Sequence, residues 1–389
     1  MAEQNSLAVM LTKQLISIDS TDPGHYEKEI GDHLFCQLSD IPNATVIREE
    51  VLPGRFNIKA ELPGPPDAPA LVFICHMDTV VVGDGWTRDP FGAEEEQGRI
   101  YGRGACDMKS GLACAMSAFS HAARQIQSGK AASRRLVLIC SVDEEDFMRG
   151  SEAAIRSGWV TSRDWVLDTE PTDGQIQVAH KGRTWFELTV TGCTAHASTP
   201  WKGADAIAGM AEIIRSIRLA IAAAPTHPDL GSSTVTFGQI TGGYRPYVVP
   251  DSCKVWIDMR LVPPVDTRAA SEILDAAIRE AQTAVPDITA AYEITGDRPY
   301  VEKNEAAPLL SSLKKACLKI TGKEPVVGPF PGYTDTAVIA GTLNNCNCMS
   351  YGPGSLELAH KPDESVPIAD ILRCEQVLCV LVTETLFEP

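Results

Sequence analysis

Residues 71–80 read LVFICHMDTV. Residues 71–75 form an unbroken apolar run of strand length, and it stops abruptly at His76, Met77 and Asp78. Side chains two apart on a strand project to the same side, so His76 and Asp78 are expected to lean together at the strand's carboxyl end. Two readings follow. Either an imidazole ligand and its orienting acid stand where open α/β sheets hold their ligands, or Asp78 closes a turn by bonding local backbone.

The same pattern recurs along the chain. After helical spacing in LAVMLTKQLISI (7–18) come β-like runs at FNIKAEL (56–62), LVFICH (71–76), RRLVLICSV (134–142) and DWVLDTE (164–170), with the Ala-rich GLACAMSAFSHAARQI (111–126) between the second and third. Strands alternating with helices predict an α/β domain. From TWFELTVTGCTAHA (184–197) the pattern becomes alternating. A helix near 204–221, strands at 233–243 and 253–262, a helix near 268–282 and a strand at 288–295 then follow in β-α-β-β-α-β order. We read residues 1–182 as the first part of a catalytic domain, 183–294 as a smaller α+β insert, and 295–389 as the return of the first domain.

The 389 residues suffice for two cores. Hydrophobic content of 44% with 22% charged residues predicts a packed soluble protein. A net charge of −17 argues against nucleic acid and anionic membrane as partners and favours small-molecule or peptide chemistry. No apolar stretch approaches the roughly 20 residues of a membrane helix. Twelve scattered cysteines and the absence of a signal-like N-terminus predict a reduced, cytoplasmic protein. The pair Cys346 and Cys348 is too small a set for a closed zinc site.

Four further stretches resemble the first. IYGRGACDMKSG delivers Asp107 from a glycine-rich turn to a helix start, where it could also serve as a cap. LVLICSVDEED ends a strand in Asp143, Glu144, Glu145 and Asp146, acids that need solvent, a proton or a cation. DWVLDTEP exits at Asp168 and Glu170, and LELAHKPDE carries His360. Together they supply two imidazoles and several carboxylates after core strands, a mixed N/O set suited to zinc and related divalent ions.

In order, HMDTV, WTRDPF, GRGACDMK, DEE, EPT and AHKPDE resemble the signatures of the dinuclear zinc metallopeptidase and amidohydrolase family. That family includes acetylornithine deacetylase, succinyl-diaminopimelate desuccinylase, aminoacylase and glutamate carboxypeptidase. The resemblance covers nearly the whole chain. It implies a zinc-peptidase-like catalytic domain with a central mixed sheet flanked by helices, plus an inserted dimerisation or lid domain. It implies two divalent ions, zinc first among them with cobalt or manganese as alternatives, bridged by Asp107. His76 and Glu170 would complete one ion's ligands, Glu145 and His360 the other's. Asp78 would orient His76, and Glu144 would be the general base that moves a proton from water to the leaving amine.

The resemblance extends into the insert. GCTAHASTPWKGADAI places His196 where the family's histidine reaches across a homodimer to the oxyanion. VPDSCKVWIDMRLVP places Arg260 where an arginine can fork onto a substrate carboxylate, its plainer role being an ion pair with Asp258. Tyr247 stands ahead of V-P-D where many members of the family carry Asn, and as a substrate contact it is expected to narrow the pocket or change its polarity. PGYTDTA resembles a substrate-facing segment of the family, with Thr334 and Asp335 as contacts, a plain β-turn being the alternative, and Gly354 of GPGS resembles a backbone-lined substrate wall. The implied activity is hydrolysis of an amide bond in an N-acyl amino acid. A carboxypeptidase or dipeptidase would use the same site, and a binding or regulatory protein that had lost turnover would keep the metal alone.

Overall fold

In the computed structural model, which describes residues 6–388, the opening run becomes the strand Leu71–His76, buried along its whole length. Leu71, Phe73 and Cys75 share a core with the helices Lys109–Gln127 and Ile368–Leu386, and helix Asp335–Leu343 also packs on this strand. Covering both faces explains why the sequence is continuously apolar instead of alternating.

This strand lies within an eight-stranded mixed sheet. The order is Val327–Phe330, Ile176–His180, Cys348–Ser350, Trp165–Asp168, Leu71–His76, Leu136–Ser141, Arg55–Leu62 and Thr45–Leu52. The four strands Cys348–Ser350, Trp165–Asp168, Leu71–His76 and Leu136–Ser141 run parallel, and Arg55–Leu62 and Thr45–Leu52 add antiparallel pairs at one side. Helix Lys109–Gln127 can approach closely because its first turns carry the small residues Ser110, Gly111, Ala113, Cys114 and Ala115. At Gly111 a Cβ would stand 2.0 Å from the Thr169 carbonyl oxygen.

The chain divides into two compact units. The first runs through Val178 and resumes at Lys303–Phe330 and from Thr334 onward; the second is Ala179–Glu302 with Pro331–Tyr333. The second unit starts earlier and ends later than the expected residues 183–294. Backbone pairing carries it on, since His180 and Val301 exchange two hydrogen bonds of 2.9 Å.

The second unit is an antiparallel four-stranded sheet in the order Thr234–Gly242, Ser252–Leu261, Gly182–Thr191 and Thr289–Arg298. Phe186, Leu188, Val190, Val255, Ile257 and Met259 alternate onto the face covered by helices Ala206–Ala223 and Thr267–Ala284. Each helix starts at an aspartate whose carboxylate accepts from its first turn: Asp205 from Ile207 and Ala208 N–H, Asp266 from Ala269 N–H. Among the described residues no helix is long and apolar enough to cross a membrane, and all twelve cysteines are unpaired.

Candidate metal centre

Parallel register brings the polar strand ends to one edge of the sheet. His76 is opposite Ser141, and Ile74 is opposite Asp168, so the segments carrying Asp78, Glu144, Glu145 and Glu170 leave the core together. Asp107 arrives from a turn in which Gly102 and Gly104 have φ of 155° and 81°. A Cβ at Gly104 would meet Thr79 Cγ2 at 2.7 Å. His360 arrives from the loop after Cys348–Ser350, at φ 62°.

Around Asp107 the geometry is two-sided. Its Oδ1 is 3.1 Å from His76 Nε2, and its Oδ2 is 3.3 Å from His360 Nε2. His76 Nε2 also lies 3.7 Å from Glu170 Oε1 and 3.9 Å from Glu144 Oε2, while His360 Nε2 lies 3.1 Å from Glu145 Oε2. Ligand atoms of His76, Asp107 and Glu145, and again of His76, Glu144 and Glu170, fall within 4.8 Å of one another.

His76 is oriented by backbone. Its Nδ1 is 2.9 Å from the Asp78 carbonyl oxygen, an atom that can only accept, so Nδ1 carries a proton and Nε2 is the nitrogen turned toward the carboxylates. The Asp78 side chain lies further off. Its carboxylate Oδ1 is 3.8 Å from His76 Nδ1, and Oδ2 instead accepts the Glu145 N–H at 3.0 Å. The side chain therefore holds the segment bearing two other cluster acids.

Donor chemistry and charge fit divalent cations. Glu145 Oε1 and Glu170 Oε1 are buried without a hydrogen-bond partner. Burial pushes the Glu144 and Glu170 carboxyls well up, and the Asp107 charge adds to both. Burial alone would lower the His76 pKa, but its hydrogen bond to Asp107 and the charges of Glu144 and Glu170 drive it well up. Hydrogen bonds to Asp107 and Glu145 raise His360 to about 10. So many buried acids around two imidazoles leave an excess of negative charge that a cation neutralises.

The four acids after strand Leu136–Ser141 divide by burial. Asp143 is fully buried and accepts from Arg149 Nε and Nη2 at 2.6 and 2.5 Å. Glu144 and Glu145 face the cluster, and Asp146 is exposed.

The sequence profile of peptidase family M20/M25/M40 matches residues 72–384. The chain belongs to this family. It is 29% identical over 314 residues to acetylornithine deacetylase of Myxococcus xanthus, across 79% of this chain and 78% of that protein. It is 26% identical over 361 residues to a probable succinyl-diaminopimelate desuccinylase of Staphylococcus aureus, across 85% and 86%. Its fold is similar to that of aminopeptidase PepT from Bacillus cereus, with a TM-score of 0.77 at 22% identity over 97% and 98% of the two chains. This M20 chain is a metal-dependent hydrolase.

Three expected substrate contacts of the M20 chain turn inward. Thr334 is buried and caps helix Asp335–Leu343 by accepting the Ala337 N–H. Asp335 is 2% exposed and accepts from the Ser141 hydroxyl at 2.5 Å and from that of Ser151. Gly354 is buried at φ 76°, where a Cβ would meet Cys106 Sγ at 2.7 Å. The family resemblance implies substrate contacts here, and in this structure the Thr334 and Asp335 side chains bond to other parts of the protein.

In the second unit of the M20 chain, His196 is exposed, and its Nδ1 accepts the Ser198 N–H at 3.1 Å. With Nδ1 accepting, Nε2 is the ring nitrogen left to donate. Tyr247 is 60% exposed on the neighbouring segment, where its carbonyl accepts the Ala197 N–H at 3.1 Å. Arg260 is forked onto Asp258, Nε to Oδ1 at 2.8 Å and Nη2 to Oδ2 at 3.0 Å, so the plainer of its two readings describes its contacts. Register reveals two partners that sequence reading missed. Arg183 lies directly opposite Arg260 on one side and Arg298 on the other. Their separation along the chain hides this row of three arginines.

Proposed function

We propose that this M20 chain hydrolyses the amide bond of an N-acyl amino acid carrying a free carboxylate. The observation that carries amide hydrolysis is the placement of Glu144, whose Oε2 stands 3.9 Å from His76 Nε2 at the edge of the cluster. His76, Asp107, Glu145, Glu170 and His360 would hold two divalent ions, with zinc, cobalt and manganese all suited to these donors. Bound there, the ions supply Lewis acidity to the scissile carbonyl and the attacking water. Glu144 takes the proton from that water on its carboxylate and delivers it to the departing nitrogen. His196 would donate Nε2–H to the oxyanion from a second copy of the chain.

Support for the substrate comes from two sides. The curated relatives named above are a deacetylase and a desuccinylase, and the row of Arg183, Arg260 and Arg298 concentrates positive charge of the sign that suits a carboxylate. The unpaired cysteines support a reducing, cytoplasmic compartment.

The test compares wild type with Glu144→Ala on N-acetyl and N-succinyl amino acids and dipeptides, with products identified by mass spectrometry. Glu144→Ala should keep its metal while turnover falls about 10²–10⁴-fold. Full turnover in metallated Glu144→Ala would reject this residue as the base. Cleavage confined to peptides would move the assignment to a dipeptidase or carboxypeptidase, and light scattering that finds an active monomer would remove the His196 role.

A further inference from the structure

The N–H groups of the two residues that flank Glu144 are both spent on buried carboxylates. Glu145 N–H donates to Asp78 Oδ2, and Asp143 N–H donates to Glu27 Oε1, each at 3.0 Å. Asp78 follows the strand that carries His76. Glu27 comes from elsewhere, immediately before helix Lys28–Ser39, and is 1% exposed.

A carboxylate so deep requires a cation beside it. Arg55 provides one from the strand Arg55–Leu62: its Nε donates to Glu27 Oε2 at 2.6 Å, and its Nη2 donates to Glu27 Oε1 and, at 2.6 Å, to Asp22 Oδ2. The guanidinium carbon lies 4.6 Å from the centre of the Tyr26 ring, and Nη1 lies 3.4 Å from Asp143 Oδ1. Carboxylate oxygens of Asp22, Glu27 and Asp78 approach within 4.8 Å of one another. Arg55 already serves as the cation for Asp22 and Glu27.

Asp143 is thus held at its amide by Glu27 and at its carboxylate by Arg149 and Arg55. Its backbone needs such restraint, because φ is 68°, a left-handed conformation that costs a non-glycine residue roughly 1 kcal/mol or more. That conformation turns the chain between strand Leu136–Ser141 and helix Arg149–Arg156, where Glu144 and Glu145 face the cluster.

We propose that Glu27, held in place by Arg55, is a positioning residue for the general base: it fixes Asp143 and so sets where the Glu144 carboxylate stands. The proposal rests on the reading of Glu144 as the base. Loss of Glu27 then lowers kcat and leaves KM and metal content as they were, because the cluster donors and the substrate contacts remain.

The experiment measures kcat, KM and metal content of the metal-loaded full chain for wild type, Glu27→Ala, Glu27→Gln and Glu144→Ala. Glu27→Ala should lose about 10–100-fold in kcat, the scale seen when outer hydrogen-bond partners of a metal site are removed, with KM within about twofold. Glu27→Gln keeps an oxygen that can accept the Asp143 N–H and should recover part of that loss. Wild-type kcat in Glu27→Ala, or a Glu27→Gln no better than Glu27→Ala, overturns the proposal. Should Glu27→Ala fail to fold, Glu27→Asp retracts the acceptor while keeping the charge for Arg55. Lowered kcat at constant KM supports the proposal there, and unchanged kcat overturns it. Glu144→Ala separates the two readings. If it turns over normally the base assignment fails, whereas an inactive Glu144→Ala beside a fully active Glu27→Ala sinks the positioning role alone.

Discussion

Asp107 Oδ2 stands 3.3 Å from His360 Nε2, on the opposite carboxylate oxygen from the one that faces His76. A carboxylate shared in this way belongs to both halves of the cluster, whereas His360 belongs to one. Asp107→Ala should therefore lose nearly all tightly bound metal, and His360→Ala only part of it. Elemental analysis after dialysis against a weak chelator distinguishes them. Full metal content in Asp107→Ala would remove the bridging role.

Most of the cluster was legible because its members follow a strand or precede a helix with strong local punctuation, whereas His360 sits within a loop and was assigned through the family resemblance. His76 terminates an apolar run, Asp107 follows a glycine turn, and Glu144, Glu145 and Glu170 follow strands that share one parallel register. The insert's β-α-β-β-α-β order was likewise written in its alternation. Glu27 and Arg55 were hidden because their partner Asp143 lies far along the chain, and no spacing encodes that contact. The inward turn of Thr334 and Asp335 was hidden for a similar reason, since burial depends on Ser141 and Ser151 arriving from other segments.

Arg260 allows a prediction about recognition. Its fork is shared with Asp258, which also accepts the Trp185 indole N–H at 2.8 Å, so the arginine is pre-aligned by its neighbour. Arg260→Ala should raise KM about tenfold or more for a carboxylate substrate while changing kcat little, the pattern for an interaction equal in ground and transition states. Arg260→Lys should not restore binding, because an ammonium cannot reproduce the planar fork. Steady-state kinetics on a free acid and its methyl ester provide the check. An Arg260→Ala enzyme that still prefers the acid as strongly as wild type would exclude the clamp.

Gly352 supports the Glu170 segment by having no side chain. A Cβ there would lie 2.2 Å from the Thr169 carbonyl oxygen and 2.4 Å from that of Glu170, and backbone atoms in a packed sheet edge cannot withdraw cheaply. Gly352→Ala should destabilise the fold by about 1–3 kcal/mol or more and weaken metal binding through displacement of Glu170. Gly328→Ala is the control, since a Cβ at Gly328 meets nothing within 4 Å; it should change stability by less than about 1 kcal/mol. Urea unfolding of the two variants tests the contrast, and equal midpoints would refute it.

His180 makes the second unit sensitive to acid. The ring is 2% exposed and meets Tyr333 edge-on, with centroids 6.1 Å apart. Burial lowers its pKa from 6.5 to about 4, against a smaller opposing effect from the Gly332 backbone. Between these values the unfolded chain binds a proton that the folded chain refuses, so stability rises with pH across the window. The contribution is fully present above the unfolded value of 6.5 and is lost as pH falls toward the folded value of about 4, amounting to about 3 kcal/mol in all. His180→Gln removes this titration. Its stability should fall less steeply than that of wild type between pH 6.5 and 4, by up to one proton in slope. Parallel urea-derived stability curves for the two proteins over that interval would show that His180 is not the group responsible.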